Sequence, residues 1–131
     1  MIDKDKASLY SPLVLAYIGD SVYEVFTRKK LLDENPNLPA HKLHKENVKY
    51  VKAKAQSDAM EIIEPLLSEQ EFVIYKRGRN AKSATVPKNA NLTDYRRATG
   101  FEALVGFLEL SGNNDRLYEI MEIAFENLKD K

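Results

Sequence analysis

The chain has 131 residues, which is enough for one hydrophobic core, and we expect residues 1–131 to form a single domain. It contains no cysteine, which excludes disulfides, thiolate metal sites and cysteine nucleophiles. Twenty Lys and Arg balance twenty Asp and Glu, so the net charge alone argues against a polyanionic ligand. Because the sequence lacks a signal-peptide pattern and the roughly 20 apolar residues of a membrane span, we expect a cytoplasmic protein.

Apolar residues recur at helical spacing and never keep the alternation of a half-buried strand, which predicts an all-α fold of about six helices. Ser11 can cap the first helix, with Pro12 at its first position, and this helix should run to about Leu32. Prolines and asparagines then break the helical pattern. The next three helices are expected over residues 39–54, then to about residue 64, and over residues 68–79.

Residues 78–92 carry the sequence GRNAKSATVPKNANL, which has no helical periodicity and predicts a basic, acid-free loop. Thr93 is then expected to cap the fifth helix, with Asp94 in its first turn, where the helix dipole favours an acid. This helix should end near Ser111, before a glycine and two asparagines. A sixth, amphipathic helix is expected over residues 115–128.

The first and fifth helices each place an acid inside their apolar run, Asp20 in one and Glu102 in the other. An unpaired carboxylate withdrawn from water costs several kcal/mol, so such acids are usually paired, protonated or bound to metal. A divalent ion such as Mg²⁺ or Mn²⁺ could satisfy both acids at once. The alternative is that both acids lie at the solvent edge of amphipathic helices.

A glycine inside each of these helices favours the first interpretation. Gly19 and Gly106 each cost about 0.8–1 kcal/mol relative to alanine, which usually indicates close packing or a functional demand. Close approach of the two helices at these glycines would bring the acids together.

Four further residues are weaker candidates. Glu24 and Glu109 share helix faces with the two acids and could extend an acidic site, although either could pair with a surface lysine. His41 and His44 have metal-compatible spacing but lie among lysines without a metalloprotease motif, so we interpret them as surface or RNA-contacting residues.

Charge is segregated along the chain. Residues 72–101 hold seven basic residues and one acid, whereas residues 102–131 hold seven acids and three basic residues. A local basic segment can bind phosphates in a neutral protein, because salt screens charges beyond about 8–10 Å. The alternative is a solvated surface that nearby acids balance.

Several stretches carry a family resemblance. LAYIGDSVYE resembles the signature helix of ribonuclease III catalytic domains, and FEALVGFLEL resembles their second acidic helix. Together with LHK, KRGRNAKSATVPKN and YRRATGFEAL, they resemble the Mini-III branch over nearly the whole chain. The resemblance implies an all-helical, homodimeric endonuclease that hydrolyses double-stranded RNA with Mg²⁺, for which Mn²⁺ can substitute, and that lacks a trailing RNA-binding domain. It also implies maturation of large-subunit (23S) ribosomal RNA precursors, with a ribosomal protein as a further partner to consider.

Under this resemblance, Asp20 matches the signature aspartate and Glu102 the essential glutamate, so both are expected to be catalytic and to bind the metal. The chain departs from longer family members at Leu13 and Ala16, which replace glutamates, and at Thr99, which replaces an aspartate. Two carboxylates per subunit remain, and the number of metal ions is left open.

The basic loop is the expected RNA-binding surface. Its candidate residues are Lys76, Arg77, Arg79, Asn80, Lys82, Ser83 and Lys88. Two other functions stay open: a non-catalytic RNA-binding or ribosome-associated protein of the same fold, and a phosphohydrolase of small nucleotides that uses His41 and His44.

Overall fold

The structure is a computed structural model and describes residues 3–82 and 86–129. These residues form seven α-helices and one 3₁₀ turn and contain no strand, which confirms the all-α prediction. The elements are α1 (Lys4–Ser8), α2 (Pro12–Glu34), α3 (Ala40–Val51), α4 (Ala53–Ile63), the 3₁₀ turn (Glu64–Leu66), α5 (Glu69–Asn80), α6 (Leu92–Leu110) and α7 (Asn114–Lys129).

The predicted start of the first long helix is confirmed. The Ser11 side chain accepts a hydrogen bond from the backbone nitrogen of Leu13 at 3.3 Å, and Pro12 occupies the first helical position. At the far end of α6, Gly112 adopts a φ of 71°, a left-handed conformation that terminates the helix as its sequence position suggested.

Two predicted boundaries were wrong. The helix expected over residues 39–54 is interrupted at Lys52, whose extended backbone (ψ 155°) ends α3 and starts α4 in a new direction. The cap of α6 is Asn91, which accepts from the backbone nitrogen of Asp94 at 3.1 Å, so Thr93 lies inside the helix. Asparagine caps helices at least as well as threonine, and here the asparagine two residues earlier is the cap. The five-residue α1 is too short to show periodicity and was not predicted.

Helix α6 forms the centre of the fold. Every residue from 98 to 108 is buried except Glu102, which is half-buried. Such a helix must be covered on all sides, and α2, α5 and α4 pack around it. None of the helices in the described part of the chain is long and apolar enough to cross a membrane.

Helices α2 and α6 touch through their backbones at two glycines. A Cβ atom on Gly19 would overlap the carbonyl oxygen of Glu102, and one on Gly106 would overlap the carbonyl oxygen of Leu15. No other residue type fits at either position without a shift of the helices. The expected close approach of these two helices is therefore confirmed.

Candidate active site

The helix crossing brings Asp20 and Glu102 together. Asp20 directly follows Gly19 on α2, and Glu102 lies one turn before Gly106 on α6. The two carboxyl groups are close enough for a hydrogen bond, with Asp20 exposed and Glu102 half-buried. The pair therefore forms where the central helix meets solvent.

The pair has an unusual protonation behaviour. Burial, the negative charge of Asp20 and a hydrogen bond with Asp20 raise the pKa of Glu102 to about 8. Glu24 adds a smaller repulsive contribution, and a hydrogen bond from Gln56 acts in the opposite direction. Two carboxylates this close repel each other when both are ionised, so a bound cation would stabilise the ionised pair.

Two buried carboxamides, one in contact with the acid pair and one in contact with Glu24, were missed by the sequence analysis. Gln56 of α4 donates to the carbonyl oxygen of Val51 at 2.9 Å and makes a long hydrogen bond of 3.5 Å to Glu102. Asn47 of α3 donates to Glu24 at 3.0 Å. Nothing in the sequence pattern marked them, because buried amides have no periodic signature.

The acids expected to extend the site behave differently from each other. Glu24 lies near the pair, but its Oε1 accepts from Arg28 at 2.9 Å and from Asn47. Glu109 is exposed at the end of α6, where it lines a groove with Lys29 and Lys30. Glu24 thus contributes negative charge to the site, whereas Glu109 lies outside it.

The positions at which the chain departs from longer family members place no acid at the site. Ala16 and Thr99 are both buried, and the Thr99 hydroxyl donates to the backbone carbonyl of Tyr95 at 2.9 Å. Leu13 is 37% exposed on the surface of α2. Ala16 and Thr99 therefore contribute to packing, Leu13 lies at the surface, and none of the three offers a carboxylate to a metal.

Residues 3–82 and 86–129 contain no group of three or more His, Asp or Glu side chains that could hold a metal ion, and His41 and His44 are exposed on α3. The carboxylates that the helix crossing brings together, and that could act as donors, are those of Asp20 and Glu102. Mg²⁺ is commonly held by one or two carboxylates, with waters and substrate phosphates completing its coordination. The residues present therefore fit a magnesium site that is completed by substrate.

The predicted RNA-binding residues have different surroundings. Lys76, Lys82 and Lys88 are exposed and make no ion pair with another described residue. Asn80 is exposed and accepts a 3.4 Å hydrogen bond from Arg79. Ser83 lies outside the described residues.

The two arginines of this set already have partners. The Arg77 guanidinium donates to the backbone carbonyls of Ser8 and Tyr10 at 2.7 and 3.1 Å, which holds the α1–α2 junction against α5. Arg79 lies over the ring of Tyr75, 5.6 Å from its centroid, and 3.9 Å from Glu64. Arg77 in particular has a structural role that its sequence position did not indicate.

A known protein family matches the part of the chain that contains this pair of acids. The family model described as the ribonuclease III domain matches residues 13–113, which include both acidic helices. The chain belongs to the ribonuclease III family. Asp20 and Glu102 both lie inside the matched region, and so do Gln56 and the basic loop.

Relatives within this family cover nearly the whole chain. A Mini-ribonuclease 3 from Thermoanaerobacter sp. (strain X514) is 48% identical over 99% of this chain and 91% of its own length. One from Streptococcus pneumoniae (strain ATCC BAA-255 / R6) is 40% identical over 98% of this chain and 99% of its own. The chain is therefore a ribonuclease III domain of the Mini-III branch.

A solved structure supports the same fold. The crystal structure of a protein from Fusobacterium nucleatum has a TM-score of 0.81 and 32% identity, and the likeness covers 91% of this chain and 94% of that one. Enzymes of the ribonuclease III family cleave double-stranded RNA, generally depend on a divalent metal and function as dimers. This ribonuclease III domain is accordingly an endoribonuclease.

Proposed function

We propose that Asp20 and Glu102 bind Mg²⁺ and that the enzyme uses it to hydrolyse double-stranded RNA, leaving 5′-phosphate and 3′-hydroxyl ends. The observation that carries this proposal is the contact between the two carboxyl groups, which together with burial raises the pKa of Glu102 to about 8. Enzymes keep such repelling acid pairs chiefly where a cation or a proton transfer uses them.

The chain's own residues prepare the site for a phosphodiester. Asp20 and Glu102 would hold the metal, and the chemistry that Mg²⁺ would supply there is an activated water and charge stabilisation for the phosphoryl oxygens. Asp20 is exposed and offers its carboxylate from the solvent side. Glu102 belongs to α6, a largely buried helix, so its backbone has a fixed position. The pair therefore keeps a defined geometry, and RNA approaches it from the solvent side.

The basic residues around α5 and the following loop are the proposed RNA contacts. Lys76, Lys82 and Lys88 are exposed cations, and Asn80 and Ser83 are neutral candidates beside them. Phosphate contacts of this kind suit A-form RNA, which proteins recognise mainly through shape, phosphates and 2′-hydroxyls. We leave Arg77 out of the set to be tested, because two backbone carbonyls already occupy its guanidinium.

We propose precursor large-subunit (23S) ribosomal RNA as the substrate, on the resemblance to the Mini-III branch. Cleavage of a defined precursor duplex, compared with a duplex of unrelated sequence and equal length, tests this assignment. If a ribosomal protein presents the RNA, adding that ribosomal protein should raise the cleavage rate.

We place the dimer interface on the outer face of α2 and α7. Apolar side chains line a groove of about 660 Å³ there: Val22, Val25, Phe26, Leu117, Tyr118 and Met121. Val14 and Val25 are both about half exposed and lie on the same side of α2, three turns apart. A second copy of the chain would cover these side chains and would hold two acid pairs in one particle, one for each strand of a duplex.

Incubation of purified protein with a labelled RNA duplex, with Mg²⁺ or with EDTA, tests the catalytic proposal. Cleavage should require Mg²⁺ and should fall at least about 100-fold in Asp20→Asn and in Glu102→Gln, because each loses a metal-binding charge. Glu126→Gln is the matched control, since Glu126 is an exposed acid on α7 away from the site. Cleavage that survives both site substitutions would overturn the metal assignment, and RNA binding without cleavage would favour the non-catalytic alternative.

A further inference from the structure

Gln56 joins the α3–α4 junction to the acid pair. Its side chain is buried, with 2% of the residue exposed, and its Nε2 lies between the carbonyl oxygen of Val51 and the Oε2 of Glu102. The distances are 2.9 Å to Val51 and 3.5 Å to Glu102. Gln56 therefore contacts the carboxylate of the central helix from the side opposite to solvent.

The orientation of this amide is set by its neighbours. The carbonyl of Val51 ends α3, has no helical donor to satisfy it, and can only accept a hydrogen bond. The Gln56 amine must therefore point at it, and the same amine then faces the Glu102 carboxylate when that group is ionised. The amide cannot turn around without placing its Oε1 against the carbonyl oxygen of Val51, so that two acceptors would face each other.

The remaining oxygen of Gln56 has no partner. Its Oε1 is buried and accepts no hydrogen bond from any described residue. An unsatisfied buried acceptor destabilises the folded state, so its presence beside the acid pair suggests a partner that binds there. A polar molecule that enters the site, such as a water at the metal, can satisfy it.

From these contacts, and building on the proposed metal-dependent function, we propose that Gln56 is a positioning residue for the metal site. Its amine holds one oxygen of Glu102, which leaves the other carboxylate oxygen free for the metal, and its own oxygen accepts from a water at the centre. Groups that orient metal ligands typically change metal affinity roughly 10- to 100-fold when they are removed.

A neutral amide suits this task better than a charged residue would. A lysine at this position would form a full ion pair with Glu102 and compete with the metal for it. A third carboxylate would add repulsion to the two acids already in contact. The amide holds Glu102 by a hydrogen bond and leaves the net charge of the site to the cation.

The test measures Mn²⁺ binding by electron paramagnetic resonance, with Mn²⁺ alone and no RNA, alongside thermal unfolding in EDTA. Gln56→Met keeps the length of the side chain and removes both amide groups. Ser57→Ala is the matched control, because Ser57 is a fully buried polar residue on the same helix whose hydroxyl has no partner among the described residues. We expect Gln56→Met to bind Mn²⁺ roughly 10- to 100-fold more weakly, whereas Ser57→Ala binds as the wild type does.

The outcomes separate this proposal from the function on which it rests. Wild-type protein that binds Mn²⁺, Asp20→Asn that does not, and Gln56→Met that binds as tightly as wild type would overturn the role of Gln56 alone. Wild-type protein that fails to bind Mn²⁺ both alone and with an RNA duplex present would overturn the metal site itself and Gln56 with it. If Gln56→Met unfolds in EDTA, Gln56→Asn keeps the amide but shortens its reach. The same weakening of Mn²⁺ binding is then expected, and unchanged binding contradicts the proposal.

Cleavage kinetics add a second readout. A higher Mg²⁺ concentration should restore the cleavage rate of Gln56→Met toward that of the wild type, because the defect lies in metal affinity. A defect in kcat that no Mg²⁺ concentration relieves would point to a different role for Gln56.

Discussion

Gly19 lies directly against the carbonyl oxygen of Glu102, with no room for a Cβ atom between them. This contact sets the distance between α2 and α6, and thereby the distance between the carboxyl groups of Asp20 and Glu102. On α2, Asp20 is the residue after the contact point. On α6, Glu102 is the contacting residue itself. The site is therefore a consequence of backbone packing.

The first prediction concerns this contact. Gly19→Ala should destabilise the protein by roughly 3 kcal/mol or more, because the new methyl group meets backbone atoms that cannot rotate away. The measurement is urea unfolding in EDTA. Thr93→Ala is the control, since Thr93 is exposed in the first turn of α6 and does not cap it, and its loss should change stability by less than about 0.5 kcal/mol. Equal stability of Gly19→Ala and wild type would contradict the backbone contact.

The second prediction concerns pH. In the unfolded chain Glu102 ionises near 4.5, whereas in the folded protein its pKa is about 8 because of burial and Asp20. Between these values the folded state holds the extra proton, so the free energy of unfolding of the metal-free protein falls as pH rises. We expect a loss of roughly 2 kcal/mol from pH 5 to pH 8, since solvent reaches part of the carboxyl group and weakens the effect.

Unfolding of wild type and Glu102→Gln in EDTA across this range measures the effect. The glutamine variant should lose most of the pH dependence, because its side chain does not titrate. Mg²⁺ should stabilise the wild type more at pH 8 than at pH 5, since the metal binds the ionised pair. A wild-type curve in EDTA that rises between pH 5 and pH 8 would contradict the raised pKa.

The third prediction concerns the loop proposed to bind RNA. Lys82→Ala combined with Lys88→Ala should weaken RNA binding and flatten its dependence on salt, by about 0.9 per lost phosphate contact if the DNA value applies. Fluorescence anisotropy with an RNA duplex at several KCl concentrations, in Ca²⁺ to prevent cleavage, measures the slope. Lys4→Ala with Lys6→Ala removes two exposed lysines of α1 and serves as the control. An equal slope in both double variants would remove the loop from the binding surface.

The fourth prediction concerns the dimer. Val25→Glu should weaken self-association at least about 100-fold, because a second copy would have to bury an unpaired carboxylate in the groove. Sedimentation velocity over a range of concentrations measures it. Val73→Glu makes the same change at a comparably exposed valine on α5, away from the groove, and should leave association unchanged. If both variants dimerise like the wild type, the interface lies elsewhere.

The proximity of the central acids could be predicted because two signals coincided, whereas their metal-binding and catalytic roles rested on the resemblance to ribonuclease III domains and stay a prediction. Each acid interrupts an apolar run, and each run also contains a glycine that costs helix stability. Periodicity alone would have left Asp20 and Glu102 as ordinary surface acids. The glycines indicated close approach, and the structure shows their backbones in contact.

Other features could not be predicted, for reasons that lie in tertiary structure. The break at Lys52 separates α3 from α4 without any proline or glycine to mark it. Gln56 follows that break and contacts Glu102, 46 residues away in the sequence, so no local pattern indicates the contact. Arg77 belongs to a basic stretch, yet its partners are carbonyls nearly 70 residues away in the sequence, which no local pattern can indicate.

The burial of α6 on all sides determines how the enzyme should lose activity when it is heated. Backbone amides in such a helix exchange with solvent mainly through global unfolding, whereas those at frayed ends exchange through local opening. Glu102 lies in the middle of this helix, so its geometry persists as long as the native state does. Activity should then be lost on heating at the same temperature at which the slowest-exchanging amides of the protein lose their protection. No partly unfolded form should keep the acid pair assembled.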